Sequence, residues 1–421
     1  MFIGLLFLVL INVPIAIALG VVTTLAMYAT QGAEILPNLA LIMMDGATNF
    51  PLIAIPLFIL AGAIMNASGI SRRLIAFASA LLGFIKGGLS MVTIGASMFF
   101  AEISGSAVAD VAALGSILIP AMKEKGYPTP FATAVTSSSA TLAVIIPPSI
   151  PMILYAVMSQ SSVVQLFVAG IIPGILGGFG MMGLSYWFAR RHNYPVEEVF
   201  RLSRLWETFK DALLAFTLPI IILGGIFGGF VTATEGAGLA VMASLVIGIV
   251  YRELDLKHLK EAMVEGGVQT AVVMLLVAAS VLVSHFLTEE KVPQTIAESI
   301  ISFTQNKYVV LGLLNVFFLV VGLFLHSAAA IILVVPIVMP LIHLVGIDPV
   351  HFGLIVTLNL GIGQQTPPVA SVLVTACSVA KADIWEVSKV NIYFIGVLFT
   401  VLMMVTYIPA IPMFLVELFY R

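Results

Sequence analysis

Side chains able to do chemistry are scarce in this chain, which is 61% hydrophobic and 9% charged, and they gather at four places. The first is Ser104-Gly105-Ser106 followed by Asp110, inside the run FFAEISGSAVADVAALGSILIPAM (99–122). The second is Thr136, Ser137, Ser138, Ser139 and Thr141, shortly before Pro147-Pro148. The third, His326 and Ser327, lies in FLHSAAAIILVVPIVMP (324–340). The fourth holds Asn359, Gly361, Gly363, Gln364, Gln365 and Thr366, ahead of Pro367-Pro368. Hydroxyls, amides and the carbonyls of an unwound helix are neutral, hard oxygen ligands, the kind that coordinates a sodium ion in transporters. A serine-rich helix start deep in a membrane is also an anion site, because its first N–H groups lack partners.

Covalent chemistry has no comparable support. The six histidines form no HExxH-like arrangement, which excludes the usual intramembrane metalloprotease pattern. The single Cys377 excludes a disulfide framework and a Cys-rich metal site. A net charge of -3 leaves no basic footprint for nucleic acid.

Each cluster also has a plainer structural explanation. Ser104 or Ser106 can cap the next helix, with Asp110 in its first turn where the dipole favours a carboxylate. Serine and threonine in spanning helices are often back-bonded or helix-packing residues. His326 either touches ligand or is a satisfied interior imidazole. In GGIFGGFVTATEGAGLAV (224–241), Thr234 and Glu235 either cap the following span or add a carboxylate to a site. Capping and function are compatible.

The elements that must position these clusters are punctuated twice. Pro120, Gly126, Pro147 and Pro148 recur at a constant offset as Pro340, Gly346, Pro367 and Pro368. A Pro-Pro pair inside an apolar run removes donors and clashes with the preceding turn, so it breaks the helix. Paired broken helices in the two halves of a membrane protein point to a transporter's binding site. The membrane assignment itself follows from a mean hydropathy of +1.15. The N-terminal run MFIGLLFLVLINVPIAIALG has no basic flank and reads as a retained first span in the bilayer.

Charge orients the chain. Arg190, Arg191, Arg201, Arg204 and Lys210, then Arg252, Lys257 and Lys260 two spans later, fall on one side, which the positive-inside rule makes cytoplasmic. Working outward, Arg72, Arg73, Lys86, Lys123, Lys125, Lys381 and Lys389 come out on the same side, and Lys291, Lys307 and Arg421 are the exceptions. The N-terminus is then cytoplasmic, with about nine crossings of the usual length. The expected fold is an all-α polytopic membrane protein built as an inverted repeat. Residues 1–87 are scaffold helices and a first interfacial arm, and 88–190 are a first repeat with a re-entrant hairpin (88–122) and a broken helix (126–158). Residues 191–307 are a cytoplasmic connector, further scaffold and a second arm. Residues 308–421 are a second repeat, with a hairpin at 308–342 and a broken helix at 349–379.

The blocks IPLFILAGAIMNASG (55–69), GGFVTATEGAG (228–238) and HFGLIVTLNLGIGQQTPPV (351–369) resemble the large membrane subunit of tripartite ATP-independent periplasmic (TRAP) transporters. The similarity runs over essentially the whole chain, and Gln364-Gln365 stands where that family usually has apolar residues. The resemblance implies sodium-driven, elevator-type uptake of an organic acid across a bacterial inner membrane. Sialic acid or a C4-dicarboxylate is the implied cargo, with sialic acid favoured, and no organic cofactor is involved. Implied partners are a small membrane subunit and a periplasmic solute-binding protein. The substrate set expected on these grounds is Ser104, Gly105, Ser106, Asp110, Ser327 and Gln365. The sodium set is Ser104, Ser137, Ser138, Ser139, Thr141, Ser327, Asn359, Gly361 and Thr366. A channel of related hairpin architecture is the alternative, but it gains nothing from duplicated unwound sites.

Overall fold

The computed structural model describes residues 13–197, 199–367 and 369–420, together with Gly4, Phe7, Leu8 and Ile11. Pro368, Arg421 and much of the expected first span lie outside the described residues. Among those described, every regular element is helical. That is what a bilayer demands, since no water is present to satisfy main-chain groups.

Helices α1 (Ile15–Gln31), α2 (Leu36–Ala47), α3 (Ala54–Ala67) and α4 (Ile70–Leu82) precede a first hairpin, α5 (Gly88–Ser104) and α6 (Ala107–Glu124). The first broken helix is α7 (Thr129–Ala140), a 3-10 turn at Thr141–Val144, and α8 (Ile150–Ser159), followed by the long α9 (Val163–Arg191). Four helices then intervene: α10 (Leu202–Phe227), α11 (Ala233–Val250), α12 (Leu256–Glu289) and α13 (Val292–Phe303). The second hairpin is α14 (Lys307–Phe324) and α15 (Ser327–Val345), and the second broken helix is α16 (Pro349–Gly363) and α17 (Ser371–Ala380). The chain closes with α18 (Ile384–Tyr407) and α19 (Ala410–Tyr420).

The interruptions have local causes. At the first tip Gly105 turns left-handed (φ 58°), and Ser106, extended, caps α6 by accepting from the Ala109 N–H at 3.4 Å. Gly105 is required there twice over: a Cβ would lie 2.8 Å from the Pro148 carbonyl oxygen, and φ is positive. The second tip has no glycine, and Leu325 and His326 cross it in extended conformation. In the first broken helix Ser149 caps α8 and donates to the Val144 carbonyl at 2.8 Å. The Pro147-Pro148 bond beside it is cis. In the second, Pro367 falls in the turn between α16 and α17, and Ala370 is left-handed.

The halves interlock by exchange. Helix α6 packs on α17 and α15 packs on α8, so each hairpin's second arm lies on the other repeat's broken helix. In the same way α7 packs on α18 and α16 on α9. Around this body, α3 packs on α11 and α12, and α12 also meets α1, α2 and α15. The amphipathic α4 lies against α5 and α10, whereas α13 rests on α15.

Eight helical segments among the described residues are long and apolar enough to cross a membrane. The sequence predicts about nine full crossings, with the second hairpin re-entrant. Both arms of the second hairpin, Lys307–Phe324 and Ser327–Val345, are among the eight, while Ile15–Gln31 is a shorter apolar helix.

Lipid tails are as apolar as leucine, so close backbone packing holds such helices together. One close approach joins α14 to α16, where a Cβ on Gly363 would lie 2.5 Å from main-chain atoms of Gly322. Neither backbone can yield, so Gly363→Ala should destabilise the purified protein by about 1–3 kcal/mol. Gly238→Ala, with nothing within 4 Å of its Cβ, should not lower stability. Thermal unfolding in detergent checks this, and equal midpoints for the two variants would contradict the packing argument.

Candidate functional site

The two tips open on one cavity of about 940 Å³. Ser104, Gly105 and Ser106 form one wall, and His326 and Ser327 another. Helices α3 and α12, part of α17 and the arm residue Arg72 complete it. The first turns of α6 (Ala107, Val108, Ala109) and of α15 (Ser327, Ala328) both border this space. Two helix N-termini therefore converge on one chamber, each with unpaired N–H groups and a partial positive charge. Such an arrangement suits an anion.

Asp110 stands one layer back. It is fully buried, does not line the cavity, and accepts through Oδ1 from the Ser104 hydroxyl. Ser104 Oγ also accepts from the Ser106 N–H at 3.2 Å. The carboxylate thus staples the end of α5 to the first turn of α6 and reaches the chamber through Ser104. Its second oxygen, Oδ2, has no hydrogen-bond partner among the described residues.

The hydroxyl cluster before Pro147-Pro148 lies deeper. Ser137, Ser138, Ser139 and Thr141 are all buried. Ser139 meets Ser97 at 2.9 Å, and Ser138 donates to Asn391 Oδ1 at 2.6 Å. Ser137 and Thr141 engage Gln365. Gln365, expected at the substrate, is drawn inward by these bonds and does not border the chamber; its neighbour Gln364 does. The cause is the turn after α16, which points adjacent side chains in different directions.

Asn359 forms a separate buried group. Its Nδ2 donates to Asn315 Oδ1 (2.6 Å) and the Ile355 carbonyl (2.8 Å), and Asn315 donates to Thr406 at 3.1 Å. Asn359 Oδ1 has no partner among the described residues. Gly361 faces Thr141 across the two breaks, and Thr366 Oγ1 back-bonds to the Ile362 carbonyl at 3.1 Å. Glu235 lies apart from the cavity. It closes a capping box with Thr232, accepting from the Thr232 N–H at 2.7 Å.

Sequence reasoning missed Asn391, Asn315, Thr406 and Arg72. The two asparagines carried a usable signal, being isolated amides in spanning helices. Arg72 was legible only as a cytoplasmic charge.

The tripartite ATP-independent periplasmic transporter family, DctM component, matches residues 2–411. The chain belongs to the DctM family. It is 37% identical to the C4-dicarboxylate TRAP transporter large permease protein DctM of Pseudomonas aeruginosa, covering 89% of this chain and 88% of that one. It is 36% identical to the sialic acid large permease protein SiaM of Vibrio cholerae, covering 90% and 88%. The isethionate TRAP permease DctMQ of Oleidesulfovibrio alaskensis is 42% identical over 96% of this chain, which spans 64% of that relative's length. The fold is that of the YdaH transporter of Alcanivorax borkumensis (TM-score 0.64, 16% identity, 90% and 89% covered). MtrF of Neisseria gonorrhoeae also shares it (TM-score 0.58, 15% identity, 90% and 85% covered). The DctM relatives are transport permeases and not enzymes.

If the Asp110 charge organises the site, Asp110→Asn should reduce uptake by at least about tenfold, a loss of ~1.4 kcal/mol or more. Protein level and thermal midpoint should stay close to the parent's, because an asparagine still accepts from Ser104. Near-normal uptake would reduce Asp110 to a staple.

Proposed function

We propose that this protein is the membrane permease of a sodium-coupled importer of organic acids in a bacterial inner membrane, with its N-terminus in the cytoplasm. The observation that carries the proposal is the convergence of the two hairpin tips on one chamber whose tip residues include no Lys or Arg. A carboxylate or sulfonate inside a membrane needs compensation. Here the amides at the starts of α6 and α15, and the hydroxyls of Ser104, Ser106 and Ser327, hold the acid group. Bound sodium supplies positive charge close to it. The residues fit such an ion at two buried oxygens that have no partner among the described residues, Asp110 Oδ2 and Asn359 Oδ1.

Arg72 is the one Lys or Arg among the residues bordering the chamber, on the arm α4 and not at a tip. Its side chain is 71% exposed and is paired with Glu253. An exposed pair is worth little, so Arg72 does not hold the acid.

The hairpins and broken helices form the moving body of an elevator, and α1–α3 with α10–α12 form the scaffold. A small membrane subunit enlarges that scaffold, and a periplasmic binding protein delivers the acid. Support for the cargo class comes from the relatives' names, which carry isethionate, C4-dicarboxylate and sialic acid.

The test is counterflow of labelled isethionate, succinate and sialic acid into liposomes, in sodium and in choline. One acid should accumulate transiently, in sodium only, and Gly105→Val should weaken its binding by pushing the tip amides away. Conduction without counterflow would identify a channel, and counterflow unchanged in choline would remove the sodium coupling.

A further inference from the structure

One of the oxygen clusters that resembles a cation site is already filled from within the chain. The Gln365 side-chain amide has four hydrogen-bonding positions, two N–H donors and two lone pairs. Its Nε2 donates to the Ser137 carbonyl at 2.8 Å and to Thr141 Oγ1 at 2.6 Å. Its Oε1 accepts from Ser137 Oγ at 2.6 Å and from Asn391 Nδ2 at 3.2 Å. All four positions are used, and the residue is 0% exposed. Asn391 Nδ2 also reaches the Gln365 main-chain carbonyl at 3.2 Å, and Asn391 Oδ1 accepts from Ser138 at 2.6 Å.

The Ser137 carbonyl and Thr141 Oγ1 are oxygens of an interrupted helix, which a sodium ion would need as ligands. Nε2 stands 2.8 and 2.6 Å from these two oxygens, in the space between them that an ion would take, and the Ser137 carbonyl also accepts from the Thr141 hydroxyl at 3.5 Å. This contrasts with Asp110 Oδ2 and Asn359 Oδ1, which have no partner among the described residues.

We propose that the Gln365 carboxamide is a built-in substitute for a cation at the break of the first repeat. The tethered amide supplies the positive end of its dipole to Ser137 and Thr141, so this cluster takes no sodium. The same bonds tie α7, the turn after α16, and α18 into one body in every ion state. Any sodium that couples to transport is therefore held elsewhere, at the tips or at Asn359. The inference rests on the sodium reading only for its bearing on coupling; the filling of the cluster stands independently of it.

The test needs no substrate. Thermal unfolding of purified protein is followed in sodium chloride and in choline chloride, for the parent, Gln365→Ala, Thr141→Val, and Gln365→Ala combined with Thr141→Val. Removing the amide takes one donor each from the Ser137 carbonyl and Thr141 Oγ1 and opens space between them. Gln365→Ala should therefore gain a saturable, sodium-specific upward shift of its midpoint beyond any shown by the parent, and the double variant should lose that gain. Thr141→Val in the parent should leave the sodium response unchanged. A folded Gln365→Ala protein with no added sodium response would overturn the proposal. So would a weakened response in Thr141→Val alone, a result that remains readable if the alanine variant fails to fold. The parent's own response reports separately on sodium coupling, so failure of that reading is distinguishable from failure of this one.

Discussion

In a membrane interior every main-chain N–H and C=O must find its partner inside the protein. This chain interrupts its helices at four places within apolar runs, and the rest of the structure depends on how those interruptions satisfy one another. The Ile150 N–H donates to the Gly105 carbonyl at 3.3 Å, joining the first tip to the first break. The Val369 N–H donates to the Leu323 carbonyl at 3.3 Å, joining the second tip to the second break. A further layer of side chains joins break to break: Gln365 spans from the second repeat to Ser137 and Thr141 in the first. Convergence of the four interruptions is therefore a requirement of solvation as well as of ligand binding.

Given that convergence, the electrostatics follow. Two helix starts meet at one chamber, so their partial charges add where an anion would sit. A basic residue at the tips would bind the acid more tightly, but it would also carry an uncompensated charge whenever the chamber was empty, at considerable cost. The arginines stand instead on the arm. Arg73 is held by Glu253 at 2.8 Å, by Asp211 at 3.4 Å and by the Tyr251 ring at 3.8 Å. Burial pushes the Arg73 pKa down, but its carboxylate partners outweigh this and hold it above the usual guanidinium value. Arg72 remains the more exposed of the two, at the chamber's edge.

What was legible in the sequence were the features with local causes. Proline pairs, the Ser-Gly-Ser tip and a cap act within a few residues of themselves, so the breaks, the hairpins and the capping role open to Glu235 could be read directly, although its partner is Thr232 and not the expected Thr234. Partner choice across the fold could not. Asn391 lies far from any Pro-Pro pair in the chain yet contacts Gln365, and Asn315 reaches Asn359 from another helix. Nor could the sequence say which of Gln364 and Gln365 would face the chamber, because a turn's side-chain directions depend on the groups that draw them inward. Composition placed Arg72 on a side of the membrane, but only packing placed it at the cavity.

The central claim is that both hairpin tips border one ligand chamber. The most direct test places a single cysteine at each tip, Val108→Cys or His326→Cys, with the buried Cys377 replaced by serine. Thiol labelling is then measured against the concentration of the transported acid. The account predicts that both positions lose labelling together, over the same concentration range. Protection at one tip with the other unchanged would contradict it.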